Sequence, residues 1–276
     1  MATVYEFDGA VGRSLADTIA AASLKGASVI LFLVIAGGQF LFAFYIFSYY
    51  GIAPALGNFE GWTKRLIDGD LTGNIVLGAH LLLAFVITVG GPLQMIPQIR
   101  RYAPTFHHWN GRIYLLTAFI ISTAGLYMVW TRGVPGGFSN HFAFTLNALL
   151  IMVFAGTALR YAIARDIDTH RRWALRLFLA VSGVWFFRVG FMAWIIVNRG
   201  PLWSTKSLDG PFDTVLAYAC YLLPLAVLEV YLRTQGRAGP AGKFALALAL
   251  LVLTALIGVG IFGAYTFMWL PRLVAV

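Results

Sequence analysis

One cysteine, Cys220, stands in a chain of 276 residues. A lone thiol excludes an internal disulfide, a CxxCH haem attachment and an all-cysteine iron–sulfur site within the chain. Set in an apolar stretch, it reads as a small buried hydrophobe. Charge is also scarce: 11% of residues are charged and 60% hydrophobic, where a soluble domain carries about 25% charged residues. That excludes an ordinary soluble fold. Acids are the scarcer sign, with 11 Asp and Glu against 20 Lys and Arg, for a net charge of +9. In so apolar a chain the excess reads as basic cytoplasmic loops, not as nucleic-acid binding. Met1–Gly26 lacks the short apolar core and small-residue site of a cleaved signal peptide. The first span is therefore expected to act as its own insertion signal.

What is present is a series of apolar segments. Seven are long enough to cross a bilayer, near Ala27–Tyr50, Gly73–Ile96, Trp109–Trp130, His141–Ala164, Trp173–Val197, Thr214–Leu232 and Phe244–Leu270. The sequence therefore predicts an all-α integral membrane protein of about seven transmembrane helices. It forms a single membrane domain (1–276): a cytoplasmic segment (1–26), a histidine-bearing four-helix core from spans two to five (73–198), and two further spans (213–276). Arg13, Lys25, Arg100, Arg101, Arg112, the arginines from Arg160 to Arg176, Arg233, Arg237 and Lys243 fall at one face. The positive-inside rule then puts the amino terminus in the cytoplasm of a bacterial inner membrane. The longer loop Gly51–Thr72, with Trp62, is expected on the outer surface.

Four histidines fall into two pairs, His80 with His107 and His141 with His170, about 27 and 29 residues apart. That is the spacing of antiparallel spans of roughly 20 residues each. The third and fifth spans also open alike, with His107-His108-Trp109-Asn110-Gly111-Arg112 echoed by His170-Arg171-Arg172-Trp173 and then Arg176. Spans two and three read as a unit copied in spans four and five, and an axis along the membrane normal would set equivalent residues at one depth. On this reading His80 faces His141 and His107 faces His170, the ligand pairs of two b-type haems. Histidine inside a membrane is costly and marks a site more often than it does in a soluble core. Gly91 and Gly125 share stripes with the histidines, where glycine admits a large planar group or close helix packing. Arg188 is expected to bind an outer propionate, with Arg112 and Arg176 near inner ones; snorkelling to the interface is the alternative. Glu229, the one clearly intramembrane acid, reads as a local pair with Arg233. Hydrolytic metal sites need histidines at one depth, usually with carboxylates, and are disfavoured.

From about Gly73 to Trp194 the chain resembles an uncharacterised bacterial membrane family, domain of unknown function 2306. The resemblance rests on Gly78-Ala79-His80, Gly91-Pro92-Leu93-Gln94, His107 to Tyr114, and His170-Arg171-Arg172-Trp173 with Arg176 and Arg188. It favours His107 over His108 as the functional position. The histidine layout is also similar to that of the di-haem cytochromes of the b561 class, which implies haem b and exchange of electrons with a quinone or another membrane redox subunit. This is an analogy of arrangement. Two other readings stand beside it: an accessory subunit of a larger membrane complex, and a transporter working through Gln94 or His80, since Gly90-Gly91-Pro92 and Pro97 interrupt the second span.

Overall fold

The computed structural model describes residues 14–274; the expectations resting on Arg13 and on the extreme amino-terminal segment lie outside them. Helices account for all regular structure among the described residues. Six helices are long and apolar enough to cross a membrane, and a bent pair makes up to seven.

Helix α1 (Leu15–Ala55) begins well before the expected Ala27, because Ser14 caps it by accepting the Asp17 backbone N–H at 3.1 Å. It also runs past the expected end at Tyr50, through a wider π turn at Ser48–Ile52. Pro54 explains that turn. Proline has no N–H for the carbonyl four residues back, which is Tyr50. That carbonyl instead accepts the Trp62 indole N–H at 3.1 Å. The expected outer loop is thus shorter than read. It contains the short α2 (Glu60–Thr63), and Trp62 fastens it to α1.

Helix α3 (Leu71–Met95) is capped by Asp70, which accepts the Gly73 N–H and two bonds from Arg132. A short α4 (Pro97–Tyr102) follows, then α5 (Pro104–Arg132) and α6 (Gly137–Ile163). The fifth span is not one rod. It comprises α7 (Ile167–Val181) and α8 (Gly183–Val197), bent by 54° at Ser182. Helices α9 (Pro211–Arg237) and α10 (Pro240–Val274) complete the chain.

The spans pack in a closed circuit. Helices α3, α5, α6 and α7 are neighbours in sequence order; α8 packs on α10, α10 on α1, and α1 on α3. Helix α9 lies against α6, α7 and α8. Two buried bonds close the middle of the circuit. Gln39 of α1 donates to the Ser182 hydroxyl at 2.7 Å, and the Trp185 indole donates to the Gly38 carbonyl at 3.2 Å. Both contacts need a bare Gly38, since a methyl there would collide with Trp185 and Ile261. Ser182 itself donates back to the Phe178 carbonyl, so the bend and its fastening to α1 share one hydroxyl. Toward the α4 end the helices part. The end carrying Arg100, Arg171, Arg172 and Lys243 is called the basic end below.

Candidate functional site

An open-sided cleft of about 2000 Å³ is bordered by α1, α7, α8, α9 and α10 and by the basic ends of α3 and α5. Its walls are mostly aliphatic and aromatic, including Phe32, Phe178, Phe186 and Leu228. Its polar groups gather at the basic end, where Lys25, Arg100, Arg171 and Arg172 face a single acid, Asp168. His107 and His170 line the same region. A large apolar pocket with a few convergent polar groups is the ordinary form of a ligand site.

The two histidines are held differently. Asp166 caps α7 by accepting the Thr169 N–H at 3.1 Å, which fixes the first turn that carries His170. The Thr169 hydroxyl and N–H hold the Asp166 carboxyl below the usual carboxylate range. His170 Nδ1 then donates to the Ala158 carbonyl of α6 at 2.9 Å. That bond sets the tautomer and leaves Nε2 as the ring's remaining acceptor, the arrangement usual for a ligating histidine. His107 sits in a network at the α3–α5 contact. Gln94 donates to the His107 carbonyl at 3.1 Å, and its Nε2 lies 3.5 Å from His107 Nε2. Asn110 donates to both Gln94 Oε1, at 2.8 Å, and the Gly90 carbonyl, at 2.9 Å. His107 Nδ1 is buried without a partner among the described residues. His107 lies within electrostatic range of Arg100, His108 and His170. The structure thus brings His107 and His170 to one cleft.

It does not do so for His80 and His141. The His80 ring lies beside Gly125 of α5, and its Nδ1 is buried and unpartnered among the described residues. His141 lies beside Gly133. Gly125 lies within α5, whereas Gly133 follows its last residue, Arg132, so the two histidines meet different parts of the chain. His141 is occupied locally: its Nδ1 bonds the Gly137 carbonyl at 2.9 Å, and Trp130 meets its ring edge-on. The difference arises because His141 stands in the opening turns of α6, whereas His80 lies deep in α3.

The remaining expected site residues separate as well. Gly91 meets the rings of Phe178 and Tyr114, so it serves close helix packing. Gly125 gives the His80 ring room. Arg176 binds Glu229 of α9 at 2.6 Å and stacks on Trp173. This corrects the expected Glu229–Arg233 pair: the carboxylate ties α7 to α9 instead of stapling α9 to itself. Arg112 stacks on Trp109 at the interface. Arg188 does not continue the His170 face, because the bend at Ser182 intervenes. It covers Phe42, donates to the Val184 carbonyl of its own helix, and lies within electrostatic range of His80. Among the described residues no group of three or more His, Cys, Asp or Glu could hold a metal ion.

Sequence reasoning missed Gln39 and Ser182. Gln39 carried a legible signal, since an amide in the middle of an apolar span needs a partner.

The fold defines a multi-span, all-helical membrane protein with a large open-sided cleft among its helices. The chain belongs to the family described as "Predicted membrane protein (DUF2306)", whose model matches residues 77–232, more than half of its length. The match runs beyond the Trp194 limit of the sequence resemblance and takes in α9, the helix that Arg176 and Glu229 hold in place. No curated protein and no solved structure matches the chain.

Proposed function

We propose that the cleft binds one b-type haem between His107 and His170, and that the protein carries electrons within a bacterial inner membrane. The observation that carries this reading is the His170 Nδ1 bond to Ala158, which leaves Nε2 as a free base at a cleft that His107 also lines. His170 and His107 would hold the iron, the apolar walls would take the ring, and Arg100, Arg171 and Arg172 would bind the propionates. Haem supplies reversible one-electron chemistry when bound. The chain's part is to fix the ligand histidines, exclude water with the Phe178 and Phe186 side, and raise the potential with arginine charge. A single haem is proposed, because His80 lies beside Gly125 within α5 and His141 beside Gly133, beyond the end of that helix. The positive-inside rule assigns the basic end to the cytoplasm, and a membrane quinone or a redox subunit is the partner class.

An optical spectrum of the detergent-purified protein, oxidised and then reduced, tests this directly. The expected result is a Soret band with a sharp reduced alpha band and about one haem per chain, lost in His170→Ala and His107→Ala and kept in His141→Ala. Protein made with ample haem supply but lacking the chromophore would overturn it.

The 54° bend in the fifth span favours a transporter as the second reading, because broken helices beside a cleft line many transport sites. Solute uptake into proteoliposomes that depends on Gln39 but not on haem would select it.

A further inference from the structure

We infer that the end opposite the basic one carries a binding site for a phosphate- or carboxylate-bearing anion, built by Arg65, Arg272 and Tyr49. A pocket of about 360 Å³ opens there, at the lower end of the ordinary range for small-molecule sites. Lys64, Arg65 and Arg272 line it, with Tyr49 and Gly61. Its one acid, Glu60, is already bound by Lys64 through a short ion pair. Arg65 and Arg272 have no carboxylate partner among the described residues. Arg65 lies over the Tyr50 ring, and Arg272 donates to the Tyr45 hydroxyl at 3.1 Å.

The fold holds these cations together. Helix α10 ends beside the π turn of α1, where Tyr45 stacks on both Tyr49 and Trp269. Gly61 closes against the Tyr49 ring with no space for a methyl group. Beneath the pocket, Arg188 lies within electrostatic range of Arg65, Arg272, Tyr45 and Tyr50, and it too lacks a carboxylate among the described residues. Two pocket arginines, and a third within electrostatic range of them, therefore lack a carboxylate partner among the described residues. Like charges so placed repel, and an anion entering the pocket relieves the repulsion while gaining charge-assisted bonds. Tyr49, which lines the pocket, carries a hydroxyl that can add a neutral donor for the same oxygens. A free solute and a lipid headgroup share this chemistry. The site is separate from the histidine cleft, and it stands whether or not haem binds there.

Trp62, next to Gly61 in the chain, and Trp269, which stacks on Tyr45, give the readout. Tryptophan fluorescence would be followed while inorganic phosphate is added to the protein in neutral detergent. In parallel, the protein would be reconstituted in phosphatidylcholine vesicles with and without phosphatidylglycerol. A saturable response to phosphate, weakened at least about tenfold in Arg65→Gln/Arg272→Gln, establishes a site for a free anion. A saturable response only to phosphatidylglycerol, lost in the same variant, establishes a headgroup site. The exposed single change Arg65→Gln, which gives up only the contact with the Tyr50 ring, is expected to weaken the same response and covers the case in which the double variant folds poorly. Arg199→Gln serves as a same-end control and is expected to leave the response unchanged. No saturable response to either probe, or an equal one in the arginine variants, overturns the proposal.

Discussion

His170 Nδ1 and the Ala158 carbonyl lie 2.9 Å apart, joining the first turn of α7 to the last turns of α6 across the Asp166 cap. The bond does two separable things: it secures a helix junction and it dictates which imidazole nitrogen is free. A side chain that keeps the donor but loses the second nitrogen separates the two roles. His170→Asn is expected to cost no more than about 1 kcal/mol of stability while abolishing the chromophore. His170→Ala is expected to lose both the bond and the chromophore. Thermal unfolding beside the reduced spectrum reads the two effects. A chromophore surviving in His170→Asn would remove His170 from the ligand set.

Gln39 and Ser182 supply a stability test at the bend. Their bond is buried and joins α1 to the junction of α7 and α8. Deleting one partner leaves the other desolvated, so Gln39→Ala and Ser182→Ala are each expected to destabilise by about 1–3 kcal/mol. The double variant is expected to cost less than the sum of the two, because one interaction is removed twice. Gly38→Ala is expected to exceed either, since its methyl meets Trp185 and Ile261 with little room. Additive single effects would show that the two side chains do not act through each other.

The class of fold was legible because hydropathy fixes spans whatever their packing. The long first helix was less so: the sequence reading ended the span at Tyr50 with a loop from Gly51, but a π turn and the Trp62 indole carry the helix past them. His107 and His170 could be placed at one end by counting residues. The separation of His80 from His141 could not, because it depends on how far α3 and α6 slide along α5. The Arg176–Glu229 pair was hidden for the same reason. Neighbouring helices, not spacing along one helix, decide which charges meet.

Two glycines of α5 are expected to respond oppositely to a methyl group. At Gly125 an added Cβ makes ordinary contact with the His80 ring. Gly125→Ala is therefore expected to be neutral or stabilising by up to about 1 kcal/mol, through reduced backbone freedom in the unfolded chain. At Gly111 the same methyl would displace the Gln94 amide and break the network through Asn110 and His107. Gly111→Ala is expected to destabilise by about 1–3 kcal/mol. If a chromophore is present, its spectrum is expected to shift in Gly111→Ala alone. Similar melting temperatures for the two variants would mean that Gln94 moves aside without cost.

Asp70 links acid sensitivity to the α3–α5 junction. It caps α3 and accepts two bonds from Arg132, which also reaches Asn74. The Gly73 N–H first, and the Arg132 guanidinium second, hold the Asp70 carboxyl below the ordinary carboxylate value. A group whose folded value is depressed contributes stability above its unfolded value, about 4, and loses it as the pH falls through the folded value. The wild type is therefore expected to lose melting temperature on acidification below about pH 4. Asp70→Asn is expected to lack that component while being less stable at neutral pH. Because the carboxylate faces solvent, the difference is expected to shrink in high salt, which screens exposed pairs. Unfolding curves in detergent across the acidic range, at low and high salt, measure both effects. Parallel curves for wild type and Asp70→Asn would show that the Arg132 contact tells nothing of stability, and that the Gly73 cap alone sets the start of α3.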